Sequence, residues 1–332
     1  GLLKSPGRSY CGDFYKIDIG LSGETKQLMV GLPEMIDQHF VAQTLPARTE
    51  TGHKGTYGTC QVIAGSRAFT GAPFLTGNAA YLVGCGLVHL ATIKDVYQNL
   101  SGQLIEAIWT VLPDIEGAYS IGGVVAAKTG FAKADSLVIG PGLGFFHENA
   151  KFLLALLDVI PEELPTLIDA DGLNLLSELD HWWDYLPEKT ILTPHPGEMS
   201  KLTGLSIDEI QSNRWQIAQE FAKKWGVVLV LKGAMTVVAS PKAELFILPV
   251  SDSALATAGS GDVLAGLIGG LLAQGTSAPL AAASGVWLHA QAGLAAKAII
   301  GTANCVTALA ILDYLPEAFF KLKTAGMKLP AV

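Results

Sequence analysis

The sequence predicts an α/β fold built on a mostly parallel sheet with helices on both faces. From about Gly55 onward, short apolar runs alternate with stretches of helical periodicity, which is the order of successive βαβ units. Several of the runs are apolar at every position, as strands buried on both faces must be. Half of the 332 residues are apolar and 16% are charged, a composition that favours a thick interior over disorder.

The elements follow one another in a regular order. Strand candidates lie at residues 61–64, 87–91, 136–139, 166–168, 191–192 and 227–231. Helical stretches lie at residues 72–83, 149–159 and 208–225, and the chain after Val250 is mainly helical in pattern up to about Tyr314. One α/β domain over residues 46–332 is the simplest partition of this pattern.

Residues 1–45 differ from the rest of the chain. A turn is followed by an alternating strand over residues 14–19 and then by a polar linker that ends near Leu45. The first residue is not Met, and the segment begins as though partway through an element. We therefore expect residues 1–45 to be the tail of a preceding domain together with a linker.

The charge balance and the cysteines exclude several classes of protein. Net charge is −8, from 22 Lys and Arg against 30 Asp and Glu, and the absence of a basic run argues against nucleic-acid binding. Residues 263–273 are too short to span a bilayer, and residues 281–300 are interrupted by His289, Gln291 and Lys297. The four cysteines have no CxxC spacing and no signal peptide is evident, so we expect buried free thiols in a cytoplasmic protein.

The sharpest motif is Gly259-Ser260-Gly261-Asp262, which precedes a helix of small apolar residues at 263–273. Glycines let consecutive N–H groups point into one space, and the first turn of a helix adds unpaired donors and a favourable dipole. Asp262 beside such an anion cradle is suited to take a proton from a hydroxyl that attacks phosphorus. An isolated motif of this kind would more often be a turn with an acid capping the helix. Convergent signals at other strand ends favour catalysis here.

Two of those signals follow the fifth and sixth strand candidates. Lys232 and Gly233 end a buried run, where a lysine that binds phosphate and a lysine that faces solvent are equally good interpretations. Thr236 is a candidate either for a hydrogen bond to a nucleotide or for the start of the next strand. His195 stands between two prolines that fix the backbone on both sides, which favours ligand contact modestly over an ordinary polar role. Glu198 is a candidate partner of metal-bound water, but an acid in the first turn of a helix explains it better.

The remaining signals are carboxylates and glycines. Asp169, Asp171 and Asn174 follow the fourth strand candidate, where either a Mg²⁺–water site or an Asx turn explains them. Residues 65–72 open a helix, and residues 140–144 are glycine-dense enough for the backbone to approach a substrate. The latter run does not complete a dinucleotide-binding GxGxxG fingerprint, because residue 147 is His.

Taken in order, these motifs resemble the ADP-dependent NAD(P)H-hydrate dehydratase family, a branch of the ribokinase-like superfamily. The resemblance runs from about His53 to Leu312. It rests on Lys54-Gly55-Thr56-Tyr57-Gly58, Phe69-Thr70-Gly71-Ala72, Gly140-Pro141-Gly142-Leu143-Gly144, Asp169-Ala170-Asp171-Gly172-Leu173-Asn174, Thr193-Pro194-His195-Pro196-Gly197-Glu198, Leu231-Lys232-Gly233 and Gly259-Ser260-Gly261-Asp262. The resemblance implies a ribokinase-like fold and phosphorylation, by ADP, of the 6-hydroxyl group of hydrated NADH or NADPH. Loss of phosphate then restores the nicotinamide and leaves AMP.

The resemblance also implies roles for individual residues, with Asp262 as the catalytic base. The hydrated dinucleotide would contact Ala72, Gly142, Gly144, Asp171, Asn174, His195 and Asp262. The nucleotide would contact Lys232, Gly233, Ala234, Met235, Thr236, Gly259, Ser260 and Gly261. Mg²⁺ would bind mainly through phosphates, near Glu198 if a side chain takes part. Ser260 departs from the family's usual Thr, and Asp171-Gly172 from the more usual Asp-Ala.

Several alternatives stay open at this point. A kinase for a small alcohol such as a hydroxymethylpyrimidine would share the fold and the base, and a nucleotide-binding protein without turnover is a third hypothesis. The resemblance suggests ADP over ATP and a homo-oligomer, a tetramer in the family, without a residue that decides either point. Residues 1–25 resemble the last strand region of an NAD(P)H-hydrate epimerase domain, so we expect a truncated bifunctional protein without epimerase activity.

Overall fold

A computed structural model of the protein describes residues 32–326, so the strand expected over residues 14–19 and the epimerase-like segment lie outside the described residues. A ten-stranded sheet forms the centre, in the order β1-β12-β11-β10-β9-β8-β7-β2-β3-β4. Only β11 runs antiparallel to its neighbours within this sheet, and β5 and β6 form a separate two-stranded pair. The predicted α/β class with a mostly parallel sheet is therefore confirmed.

The strands and helices have the following bounds. The strands are β1 Glu34–Met35, β2 Thr59–Ile63, β3 Leu87–Ile93, β4 Ile108–Leu112, β5 Asp114–Ile115, β6 Ala118–Tyr119, β7 Ser136–Ile139, β8 Thr166–Ile168, β9 Thr190–Leu192, β10 Val228–Leu231, β11 Val237–Ala239 and β12 Leu245–Ile247. The α-helices are α1 Gln38–Thr44, α2 Ala72–Leu82, α3 Lys94–Leu100, α4 Gly123–Phe131, α5 His147–Leu157, α6 Asp171–Leu176, α7 Pro196–Thr203, α8 Ile207–Ser212, α9 Arg214–Trp225, α10 Ser260–Ala273, α11 Ala278–Ile300, α12 Ala308–Asp313 and α13 Leu315–Gly326.

The six predicted strands are confirmed within two residues at each end, as β2, β3 and β7 to β10. The helix predicted over residues 208–225 is broken into α8 and α9, because Asn213 has φ −129° and ψ 34°, outside the helical range. The other six strands within residues 32–326, β1, β4, β5, β6, β11 and β12, were missed.

The linker expected before Leu45 is partly wrong. Within it, β1 pairs with β12 in parallel, and Val41 of α1 is fully buried in the same core cluster as Ile36. Asp37 caps α1 by accepting the Phe40 N–H at 2.9 Å. Residues 34–44 therefore pack with the main domain. The division of the chain at residue 45 stays a prediction.

The sheet separates two hydrophobic cores, one on each face. Along β7, Val138 belongs to one core while Leu137 and Ile139 belong to the other, as the alternation of side chains along a strand requires. Helices α2, α10 and α11 cover the first face, and α5, α6 and α9 cover the second.

The small residues of α10 serve close packing. A Cβ atom on Gly266 would lie 2.1 Å from the Thr76 carbonyl oxygen of α2, and one on Gly269 would lie 2.4 Å from Val138. Glycine alone fits these contacts. No helix within residues 32–326 is both long and apolar enough to cross a bilayer.

The cysteine prediction is partly right. Cys60 and Cys85 are buried free thiols, while Cys305 is free but exposed. Cys11 lies outside the described residues.

Candidate active site

Charged side chains converge where the parallel strands end. Asp169 directly follows β8 and Lys232 directly follows β10, and the Lys232 Nζ lies 2.7 Å from Asp169 Oδ1 and 3.7 Å from Glu198 Oε2. Asp169 is 1% exposed. Burial opposes the charge of Lys232, but Asp169, Glu198 and Asp262 outweigh it and raise the pKa of the ammonium group. The ammonium group of Lys232 is therefore held in its charged form inside the protein.

The backbone around Asp169 is built for this arrangement. Gly140 has φ +120°, and a Cβ atom there would lie 2.0 Å from the Asp169 carbonyl oxygen. Ala170 has φ +52°, a conformation that non-glycine residues rarely adopt. Strain of this kind persists only where the surroundings impose it, and it gathers at functional sites.

Asp262 lies in the first turn of α10, beside the same ion pair. Gly259 precedes the helix with φ +83°, and a Cβ atom on Gly261 would lie 3.5 Å from Lys232 Nζ and 3.7 Å from Asp169 Oδ2. Burial and the charge of Asp169 raise the pKa of Asp262 to about 7, against the opposing effect of Lys232. A carboxyl group with a pKa close to ambient pH accepts a proton readily and releases it again, which is what a general base requires.

His195 and Glu198 form a capping box at the start of α7. The His195 Nδ1 accepts the N–H groups of Gly197 at 2.9 Å and Glu198 at 3.2 Å, while Glu198 Oε2 accepts the His195 N–H at 2.7 Å. Because Nδ1 is an acceptor, this network assigns the ring proton to Nε2. Burial and Lys232 lower the pKa of His195, so the ring is neutral at physiological pH. Capping, in addition to the two prolines, fixes the ring.

Burial raises the pKa of Glu198 to about 7, with Lys232 opposing. Two acids of this site, Glu198 and Asp262, therefore titrate in the same range.

The predicted glycines approach their predicted partners. A Cβ atom on Gly142, where φ is +63°, would lie 2.7 Å from the Phe69 Cβ and 2.9 Å from the Ala72 Cβ. The Gly144 N–H donates to Asp171 Oδ2 at 2.8 Å, which ties that loop to the start of α6. The structure thus brings Ala72, Gly142, Gly144 and Asp171 to the same end of the sheet as Asp262.

Asn174 lies one turn further along α6. Its Oδ1 accepts a hydrogen bond from Lys201 at 2.7 Å, and Lys201 is near enough to His195 to contribute to the lowered pKa of the imidazole. The structure therefore links Asn174 to Lys201, and the amide oxygen of Asn174 is already engaged.

A pocket of about 380 Å³ opens beside the first turn of α10, where Ser260 and Gly261 line it. Six of the predicted nucleotide-binding residues line it: Lys232, Gly233, Ala234, Thr236, Ser260 and Gly261. Met235 and Gly259 do not line it. Met235 is buried with φ +59° and donates its N–H to the Val250 carbonyl at 2.9 Å, so it turns the chain.

Sequence reasoning assigned no role to His289, which lines this pocket, and no single role to Asp169 beside Lys232. His289 lines the pocket, is 8% exposed, and its Nε2 has no hydrogen-bond partner among residues 32–326. Burial lowers the pKa of His289 to about 4, so the ring is neutral. In the sequence, the only sign of His289 was that it interrupts an otherwise apolar helical stretch. Asp169 was left undecided between a metal site and a turn, and it proves to be the buried partner of Lys232.

The comparison with protein families agrees with this geometry. The family described as NAD(P)H-hydrate dehydratase matches residues 60–317. The chain belongs to the NAD(P)H-hydrate dehydratase family.

Relatives of this dehydratase family extend the comparison. The chain is 36% identical over 324 residues to a bifunctional NAD(P)H-hydrate repair enzyme of Moorella thermoacetica, covering 97% of this chain and 61% of the relative. It thus spans about three fifths of that relative's length. It is 34% identical to an ADP-dependent (S)-NAD(P)H-hydrate dehydratase of Neisseria meningitidis, covering 90% of this chain and 94% of that protein.

Among solved structures, the ADP/ATP-dependent NAD(P)H-hydrate dehydratase of Bacillus subtilis, co-crystallised with ATP and Mg²⁺, has a TM-score of 0.73 and 29% identity to this chain. That match covers 88% of this chain and 99% of the other. The expected ribokinase-like architecture is confirmed.

Proposed function

We propose that the protein restores hydrated NADH and NADPH in an ADP-dependent dehydration. The observation that carries the proposal is the position of Asp262. On one side it adjoins Gly261, which lines the pocket of about 380 Å³, and on the other it is near enough to Asp171 for that charge to raise its pKa. A base between two binding regions is what transfer between a nucleotide and an acceptor hydroxyl needs.

The proposed reaction has two stages. Asp262 removes the proton of the 6-hydroxyl group, whose oxygen attacks the β-phosphorus of ADP, and the bond from that phosphorus to the bridging oxygen breaks to release AMP. The carbon–oxygen bond of the phosphate ester then breaks, pushed by the electron pair of the ring nitrogen, and loss of the adjacent carbon-bound proton restores the double bond. Phosphate leaves easily where hydroxide does not, so the first stage makes the second possible.

The residues around Asp262 supply binding and charge. We propose that Lys232, Gly233, Ala234, Thr236, Ser260 and Gly261 hold the nucleotide, with Met235 and Gly259 shaping that loop and helix end. Ala72, Gly142, Gly144, Asp171, Asn174 and His195 would hold the dinucleotide. A neutral His195 with its proton on Nε2 offers a donor to an oxygen of the substrate.

Mg²⁺ would neutralise charge on the transferred phosphate. Carboxylate oxygens are the donors that Mg²⁺ prefers, but the described residues contain no cluster of three or more His, Cys, Asp or Glu side chains arranged as a metal site. Asp169 is already paired with Lys232. We therefore propose that phosphate oxygens and water would hold the ion, with Glu198 as the candidate side-chain ligand.

The N-terminal segment and the assembly complete the proposal. We propose that residues 46–332, joined by β1 and α1, form the dehydratase domain, and that residues 1–25 correspond to the end of an epimerase domain. The alignment with the bifunctional repair enzyme of Moorella, which covers 97% of the chain, supports this part of the proposal. A homo-oligomer in the cytoplasm is part of the same proposal.

The test is a repair assay with the hydrates of NADH and NADPH, each with ADP or ATP and Mg²⁺. We expect the absorbance of the reduced cofactor to return, with one AMP and one phosphate released per cofactor when ADP is used. Failure with both nucleotides and both hydrates rejects the proposal. A stable phosphorylated alcohol, formed from a hydroxymethylpyrimidine-type substrate without phosphate release, would instead identify a small-alcohol kinase.

A further inference from the structure

Arg214, the first residue of α9, is an arginine buried behind the proposed nucleotide pocket. It is 7% exposed. Its Nη2 donates to the carbonyl oxygens of Leu231 at 2.7 Å and Lys232 at 3.2 Å, and its Nη1 donates to Gln211 Oε1 at 2.8 Å. The guanidinium group thus holds the end of β10 by hydrogen bonds, at the point where the chain enters the loop that lines the pocket.

The charge of Arg214 is not neutralised within the described part of the chain. All three acceptors are neutral oxygens, no carboxylate of residues 32–326 lies within ion-pair distance, and Nε is buried without an acceptor. Burial lowers the pKa of Arg214 to about 10, so the group is still charged at neutral pH. A buried cation without a counter-ion is costly, and an anionic ligand nearby would offset that cost.

One glycine separates the guanidinium group from the pocket. A Cβ atom on Gly233 would lie 3.3 Å from Arg214 Nη1 and 3.4 Å from Nη2, and Gly233 lines the pocket. A charge so placed acts on the pocket through protein rather than through water, where its effect would be screened.

We infer that Arg214 is a positioning residue of the nucleotide site, which fixes the Lys232–Gly233 turn and adds an uncompensated positive charge behind the phosphate-binding surface. It does not touch the nucleotide. The inference rests on the proposed function, since it takes the pocket of about 380 Å³ as the nucleotide site.

The experiment compares the affinities of the full-length chain for ADP, AMP and adenosine by calorimetry. We expect Arg214→Gln to weaken ADP binding by about tenfold, AMP binding less, and adenosine binding by under threefold, because the lost charge acts on phosphate alone. In steady-state assays the KM for ADP should rise by a similar factor, with kcat within about threefold. Arg214→Lys should keep most of the preference for ADP over adenosine, because it keeps the charge and loses only the fork geometry.

Lys223→Gln is the matched control, because Lys223 is an exposed cation in the last turn of the same helix. It should leave all three affinities unchanged. Equal weakening of ADP and adenosine in Arg214→Gln would overturn the inference and indicate a purely structural role. If Arg214→Gln does not fold, the inference is overturned when Arg214→Lys loses the preference for ADP over adenosine. A wild-type protein that binds no ADP would reject the proposed function itself.

Discussion

The two edges of the sheet carry cavities of opposite character. The larger, about 610 Å³, lies where the parallel strands begin and is lined by residues such as Lys189, Glu188 and Gly275. Lys189 pairs with Glu163 at 2.6 Å, but the two side chains are 49% and 79% exposed, so water carries much of their charge. The Lys189–Glu163 ion pair therefore contributes little to the stability of the fold.

The smaller cavity, at the carboxyl edge, has a similar ion pair in a different setting. The Lys232 Nζ and Asp169 Oδ1 atoms are 2.7 Å apart, but the two side chains are only 18% and 1% exposed. Screening is weak there, so nearby charges alter the proton affinity of Asp262. Buried charge, and not cavity volume, distinguishes the edge equipped for chemistry. The following experiments test that distinction.

Asp262→Asn should have the largest effect. We expect kcat to fall by at least about 100-fold, the usual contribution of a positioned base, while affinity for ADP changes little because the amide keeps the shape of the side chain. The measurement is a steady-state assay with calorimetric binding of ADP alongside. Glu188→Gln, which removes an acid from the opposite edge, should leave kcat unchanged. Equal activity of Asp262→Asn and the wild type would refute the role of this carboxylate.

Lys232→Met should come next, chiefly in stability. Removing the cation leaves Asp169 buried without its partner, which we expect to cost about 3 kcal/mol or more of unfolding free energy. Adding Asp169→Asn should recover part of that loss, because the unpaired charge is then gone. Denaturant unfolding measures both. Lys189→Met, at the opposite edge, should leave the midpoint unchanged, and an equal loss there would show that burial does not separate the two pairs.

The sequence identified most of the carboxyl edge because its signals are local. A buried parallel strand is a continuous apolar run, and the residue after it faces the ligand edge, so β8 led to Asp169 and β10 to Lys232. The glycines before Asp262 likewise mark a helix start in one short motif. These inferences needed no knowledge of distant contacts.

The missed features depend on contacts between distant parts of the chain. Strand β4 lies at the edge of the sheet with Ile108 and Val111 exposed, and its assignment to the sheet rests on its pairing with β3. β1 is two residues long and is defined only by its pairing with β12. The counter-ion of Lys232 lies 63 positions away, and no spacing rule could have linked it to Asp169.

Gly142→Ala should have a smaller effect, on substrate binding. The new methyl group would crowd Phe69 and Ala72, at 2.7 and 2.9 Å from their Cβ atoms, and φ is +63°. We expect the KM for the hydrate to rise severalfold, with kcat little changed. Gly275→Ala is the control, because it has φ +85° with nothing within 4 Å of the added atom, so it should cost about 1 kcal/mol of stability and leave KM unaltered. A KM that rises equally in both variants would trace the effect to lost stability.

The pH profile should separate the two acids of the carboxyl edge, Asp262 and Glu198, whose pKa values are both raised to about 7. Because the base must be ionised, we expect kcat/KM to rise with pH and level off above about 7. The Glu198→Gln variant should keep this rise of kcat/KM with pH. If the rise disappeared in that variant, Glu198 rather than Asp262 would be the base.

Stability should follow the opposite trend. Both carboxyl groups bind protons more tightly in the native state than in the unfolded chain, where their pKa is about 4. Their contribution to stability is therefore complete below about pH 4 and is lost as the pH rises to about 7. Glu198→Gln removes one of the two titrations, so its stability relative to the wild type should increase across that interval, as thermal unfolding at successive pH values would measure. If the stability difference between Glu198→Gln and the wild type did not change with pH, Glu198 would have the same pKa in the native and unfolded states. Water would then reach the carboxyl edge of the sheet as freely as it reaches the opposite edge.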